Sequence, residues 1–187
     1  MAKREIVAFP HPVLKQRCAE VKEFDEALHA LLDDMALTMA DAEGIGLAAN
    51  QVDVPLRIFL MDVPLGEKQT TGIVEVINPV ITATRGHTHY DEGCLSFPGL
   101  TETVKRHAEI DLSFQDRHGG TQSVQASGLV AICIQHEFDH LEGITFLDRL
   151  SPLKRRVAVR EYLRENAELL ADQERKTRTR QRRSTPN

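Results

Sequence analysis

No stretch of the 187-residue chain approaches the roughly 20 consecutive apolar residues that a membrane-spanning helix needs, so no membrane association is expected. Cysteine is scarce. Cys18, Cys94 and Cys133 are too few for a disulfide scaffold and fit a reducing, cytoplasmic compartment. The amino terminus lacks a secretion-signal pattern, because Met1 to Glu5 is charged and the next stretch is broken by Pro10 and Pro12. There is no internal repeat and no linker before about residue 172, which excludes a repeat architecture and favours a single unit. Acidic residues are missing from the end: after Glu174 come Arg175, Lys176, Arg178, Arg180, Arg182 and Arg183. A chain of formal net charge -5 therefore closes on a basic tail. The expectation is one domain over residues 1–172 and a basic, disordered, solvated segment over 173–187.

What is present divides into helices around a set of strands. Leu28, Leu31, Leu32, Met35, Leu37 and Met39 recur near helical spacing between Phe24 and Ala42, with Asp25 available as N-cap and Gly44 beyond the end. Short β-rich runs at Arg57 to Asp62, Ile73 to Asn78 and Ile110 to Gln115, separated by Pro64, Gly66, Pro79 and Gly86, predict antiparallel strands. His118-Gly119-Gly120 predicts a hairpin turn into Thr121 to Gln125. A second helix is bounded by Ser127 as N-cap and Gly143 as terminator, and its Leu129 to Ile134 run is apolar around most of its circumference, which places it inside the protein. Ser151-Pro152 opens a third helix, expected to reach Asp172. Strands grouped between helices make the fold class α+β.

The buried helix carries His136-Glu137-Phe138-Asp139-His140. Two imidazoles four residues apart lie about one turn from each other and can face one metal ion, while Glu137 is placed to handle a proton on water beside it. An apolar helix is a costly place for two histidines and two carboxylates unless something compensates them, and a metal would. The same residues also fit a pair of hydrogen-bonded core histidines with Glu137 and Asp139 on an exposed edge.

Catalytic zinc-type sites use three protein ligands and leave one position open, so a third donor is needed. Cys94 in Glu92-Gly93-Cys94-Leu95-Ser96 is preferred, since Gly93 and Phe97-Pro98-Gly99 can form a tight turn that presents a thiolate. Cys18 and Cys133 read as small buried hydrophobes. The small residues of Gly44 to Gln51 permit close backbone approach by a ligand, or form a helix C-cap followed by a packed turn. No Lys-Ser/Thr follows the glycines, which excludes a phosphate loop.

Gly44 to Gln51, Glu92 to Ser96 and Gln135 to His140, in this order, closely resemble the three motifs of the peptide deformylase family. The likeness runs from about Glu5 to Lys154 and includes Phe9 to Leu14 and Leu147 to Lys154. It implies a small α+β domain, with antiparallel sheets around the helix that carries both histidines, acting on N-formyl-methionyl nascent peptides. By position it implies Cys94, His136 and His140 as metal ligands, Glu137 as general acid/base, and the Gln51 side-chain amide and Leu95 N–H as oxyanion donors. The implied metal is Fe2+, with Zn2+, Ni2+ or Co2+ also suited to a Cys-His-His set.

The resemblance further implies a methionine pocket from Ile45, Tyr90, Leu129, Ile132 and Cys133, and a peptide paired as an added strand near Ile45, Gly46 and Gly93. That mode needs no aromatic platform, in keeping with 5% aromatic residues. Departures are Thr101, where many members carry arginine, and Lys105, where proline commonly precedes Arg106. Arg106 itself matches the residue that pairs in the family with the acid at Glu92; a surface salt bridge is the bland alternative. In some members the C-terminal extension docks on the ribosome, a role open to the basic tail. Two other classes compete: a zinc peptidase taking Glu161 or Glu165 as third ligand, and a ribosome- or RNA-binding module with a structural metal.

Overall fold

A computed structural model describes residues 2–63 and 72–184, with side chains through residue 179. The expected breaks at Pro64 and Gly66 lie outside the described residues. Helix α1 spans Glu26–Asp41, and the Asp25 carboxylate caps it by accepting from Leu28 N at 3.0 Å. Leu28, Leu31, Leu32, Met35 and Met39 form its buried stripe. Leu37 was expected on that stripe but is 39% exposed, because two residues past Met35 is about 200° around the helix.

A five-stranded antiparallel sheet follows, in the order β1-β2-β3-β6-β7, from β1 (Gly46–Ala48), β2 (Ile58–Met61), β3 (Val74–Arg85), β6 (Glu109–Gln115) and β7 (Thr121–Ser127). β1 is an edge strand. A separate hairpin pairs β4 (Thr88–Gly93) with β5 (Thr101–Arg106). Pro79 does not end a strand as expected. It sits inside β3 where the register with β6 shifts between Ile77 and Val80, and such a bulge tolerates a residue without an N–H. The hairpin turn at residues 116–120 is as expected: the Asp116 carboxylate accepts from His118 N and Gly120 N, both at 2.9 Å.

Helix α2 (Gly128–Leu141) leaves the end of β7 directly. Ser127 occupies the N-cap position without a capping side-chain bond; the turn from strand to helix is made by Gly128, at φ +56°. Ala131, Ile134 and Leu141 pack against sheet residues Phe59, Val76, Ile110 and Leu112, so α2 lies in the core as its composition predicts. A second apolar cluster joins α1 to β1 and β2, and a third gathers Phe97, Phe146 and Tyr162.

Helix α3 (Pro152–Glu165) starts on Ser151 and proline as expected, but it stops at Asn166, whose amide donates to Tyr162 O at 3.0 Å and Pro98 O at 3.4 Å. Helix α4 then runs over Ala167–Ser184. Where a disordered segment was expected from residue 173, the chain is helical through Ser184. A run of arginine and lysine has adequate helix propensity, and Gln173 and Lys176 anchor it to the body through Ala8 and Glu5.

Gly143, at φ +71°, closes α2, and a Cβ there would lie 2.6 Å from the Lys15 carbonyl oxygen. Gly143→Ala should destabilise the fold by about 2 kcal/mol or more, read as a Tm lower by roughly 4–8 °C. An unchanged melting curve would show that the loop at Lys15 adapts freely.

Candidate active site

Helix α2 brings His136, Glu137, Asp139 and His140 into the interior, each 9% exposed or less. The alternative with Glu137 and Asp139 on an exposed edge is thereby overturned. After β4 the chain turns at Cys94, closed by Phe97 N donating to Cys94 O at 2.9 Å, and this turn sets Cys94 Sγ 3.3 Å from His140 Nε2. One donor atom each from Cys94, His136 and His140 falls within 4.8 Å of the others, the group of this kind found among the described residues. Glu161 and Glu165 lie on exposed positions of α3 and do not join it.

The donor set fits a divalent cation. Burial, together with the nearby His136 and Arg106, holds the His140 imidazole well below its usual pKa, so it is neutral and able to ligate. Its Nδ1 is buried and finds no hydrogen-bond partner among the described residues. His136 is oriented from behind: its Nδ1 lies 2.8 Å from Glu92 Oε2, which leaves Nε2 for the cluster. Burial alone would raise the Glu92 carboxyl, but hydrogen bonds from Arg106 and His136 outweigh it and hold it at about 2.

Arg106 binds Glu92 through Nε at 2.7 Å and Nη2 at 2.9 Å, and Asp139 through Nη1 at 2.5 Å. Arg149 holds Asp139 from the other side, through Nε at 2.9 Å. With Arg106 4% and Glu92 3% exposed, this is a buried array and not a surface bridge. Sequence reasoning missed Asp139 and Arg149 as members of it; a carboxylate on a buried helix with no local countercharge was the available signal.

Gln51 is fixed by its 3-10 turn, Ala49–Val52. Its Oε1 accepts from Ala48 N at 2.8 Å, so the Nε2 protons point toward Cys94 Sγ at 3.4 Å and Ser96 Oγ at 3.1 Å. Asn50, also missed, donates to His140 O at 2.7 Å and ties that turn to α2. Burial pushes the Glu137 carboxyl up to about 7 against the pull of His136, and its Oε2 has no partner among the described residues. Gly46 is required beside it, since a Cβ there would come within 2.3 Å of Glu137 Oε1.

The cluster opens into a cavity of about 580 Å³. Its lining includes Ile45, Gly46, Tyr90, Gly93, Leu129, Ile132 and Cys133 together with Gln51, Cys94, Leu95, Thr101, His136 and Glu137. Cys18 and Cys133 are buried, as expected of small hydrophobes, and burial lifts both thiols above their ordinary range.

A family model described as polypeptide deformylase matches residues 3–156. The chain belongs to the polypeptide deformylase family. A peptide deformylase of Syntrophobacter fumaroxidans is 44% identical over 171 residues, covering 91% of this chain and 100% of that one. Among solved structures, a peptide deformylase from Legionella pneumophila superposes with a TM-score of 0.82 at 40% identity, covering 91% of this chain and 98% of that chain. A peptide deformylase from Ehrlichia chaffeensis in complex with actinonin gives a TM-score of 0.81 at 37% identity, over 88% of this chain and 98% of that chain. The α+β architecture is thus that of the deformylase family, whose members are metal-dependent.

The competing ligand sets make opposite predictions. Cys94→Ala should lose most of its bound metal, measured by elemental analysis after gel filtration, while Glu161→Ala keeps it. The reverse pattern would move the third ligand to α3.

Proposed function

We propose that this chain is a metal-dependent hydrolase that removes the formyl group from N-formyl-methionyl nascent polypeptides, with Cys94, His136 and His140 holding one divalent cation and Glu137 moving the proton. The observation that carries this reading is the Cys-His-His donor group, two of whose members, Cys94 and His136, line one cavity together with Glu137. When bound, the cation supplies Lewis acidity, acidifying water and polarising the formyl oxygen. Ferrous iron is the metal favoured by the family resemblance, and zinc, nickel or cobalt would suit the same donors.

Glu137 takes a proton from the attacking water as the new C–O bond forms, then gives it to the departing amine as the C–N bond breaks, leaving formate and a free amino terminus. A carboxyl raised to about 7 is matched to both transfers near neutral pH. The Gln51 Nε2 and the Leu95 N–H donate to the oxygen that gains charge, and one such donor typically contributes about 3 kcal/mol to lowering the barrier. Ala48 and Ser96 already fix the Gln51 amide, and the Nε2 hydrogen that faces Cys94 Sγ is the one that turns to the substrate oxygen.

The methionine side chain enters the apolar part of the cavity, between Ile45, Tyr90, Leu129, Ile132 and Cys133. The peptide backbone lies extended along Ile45, Gly46 and Gly93. The edge position of β1 supports this, since its outer side carries no strand among the described residues. Recognition through main-chain bonds reads no downstream sequence, as a general processing enzyme requires. Thr101, across from Gly93 in the hairpin, stands where many family members carry arginine and so costs contacts to the peptide beyond methionine.

The cytoplasm is the compartment this substrate implies. Nascent chains emerge from the ribosome, and α4 carries Arg175 and Arg178, more than two-thirds exposed and paired with Asp172 and Glu174; an RNA surface would reward the arginine charge by counterion release.

Glu137→Ala should keep its metal yet lose at least about 10³-fold in kcat on a formyl-methionyl peptide. Turnover within tenfold of the parent, with metal intact, would remove Glu137 from the proton-transfer role.

A further inference from the structure

Besides packing Leu170 into the Phe97 and Tyr162 cluster, helix α4 grips the amino-terminal segment that runs past the reaction centre. Gln173 brackets one residue of the amino-terminal strand-like stretch: Ala8 N donates to Gln173 Oε1 at 2.6 Å, and Gln173 Nε2 donates to Ala8 O at 2.8 Å. In extended backbone, successive N–H groups point to opposite sides. The neighbours of Ala8 accordingly face the other way, with Val7 N donating to Gln51 O at 2.8 Å and Phe9 N donating to Ser96 O at 2.9 Å.

Those two carbonyls belong to the two elements that carry the oxyanion donors. Gln51 supplies its side-chain amide, and Ser96 directly follows Leu95 while accepting from Gln51 Nε2 at 3.1 Å. The segment therefore spans the two donor elements on one side and is gripped on the other by a residue 165 positions away in sequence. Ala8 is 5% exposed, so water replaces the Gln173 contacts poorly.

We infer that Gln173 is a positioning residue for deformylation: by clamping Ala8 it holds residues 7–9 against Gln51 and Ser96, and so fixes the spacing of the oxyanion donors. The inference rests on the oxyanion roles proposed above. It makes α4 a positioning element for the site although no described α4 side chain lines the reaction cavity. The physical basis is that donors aimed at developing charge lose effect steeply with displacement, whereas ground-state binding of methionine depends on a different wall of the cavity.

The test uses the full chain with its metal and two substitutions, Gln173→Ala and Gln173→Glu. The first should lower kcat on a formyl-methionyl peptide by about tenfold, with KM and metal content within about twofold of the parent. It should also speed amide exchange at Val7 and Phe9 by at least about tenfold relative to the core of β3. Gln173→Glu, which keeps the acceptor for Ala8 N, should recover part of kcat. An unchanged kcat in Gln173→Ala, or a fall that tracks lost metal or lost folded protein, would overturn the inference. If the parent chain itself fails to deformylate, the functional reading falls instead, and the exchange rates still report whether the clamp exists.

Discussion

The structure depends on making a charged helix tolerable in the core. Helix α2 buries Glu137, Asp139 and both histidines of one motif, and an isolated ionised group in such a place costs several kcal/mol. Arg106 is the main compensation. Its guanidinium spans Glu92 and Asp139, so a single cation from β5 pairs with an acid on β4 and an acid on α2. Arg149 closes the array from the solvent side. Removing one partner from a buried set of this kind typically costs about 3–5 kcal/mol, because the remaining charge is left unpaired.

That compensation also gives the site its directionality. Glu92 is held ionised and turned toward His136, which fixes the ring and frees its other nitrogen for the Cys94 cluster. Burial outweighs the pull of His136 on Glu137 and its carboxyl rises to about 7, so two glutamates in one interior are pushed in opposite directions because the Arg106 and His136 hydrogen bonds fall on Glu92. The same helix thus carries both proposed histidine ligands and the proposed proton carrier, with His136 and Glu137 lining one cavity. The backbone does comparable work elsewhere: Ala48, Ser96 and the segment at residues 7–9 hold the Gln51 turn and the Cys94 turn in one frame.

Much of this was legible in the sequence. The Asp25 cap, the leucine stripe of α1, the buried character of α2 and the HExxH spacing are local features, and local chemistry decides them. Cys94 was preferred as third donor for the turn that Gly93 and Phe97-Pro98-Gly99 can form, whereas the Gln51 assignment needed the resemblance, since Gln51 lies far from the helix in sequence. The β4–β5 hairpin was not legible as strands. Its inward positions on β5 are Val104 and Arg106, and a buried arginine breaks the apolar alternation by which a half-buried strand is read. Pro79 misled for a related reason, because a bulge that accommodates proline is set by the partner strand β6. Helix α4 looked like a free tail because its anchors, Ala8 and Glu5, lie at the opposite end of the chain. Asp139 and Arg149 pair across ten residues and through Arg106, a tertiary arrangement that no periodicity encodes.

The central claim is that the charged helix closes on a cation held jointly with the Cys94 turn. X-ray absorption at the metal edge of the anaerobically purified chain tests it most directly, since sulfur and nitrogen donors scatter differently. One sulfur and two imidazole nitrogens in the coordination shell, with the sulfur lost in Cys94→Ser, is the predicted result. A shell of nitrogen and oxygen donors without sulfur in the parent chain would contradict the account.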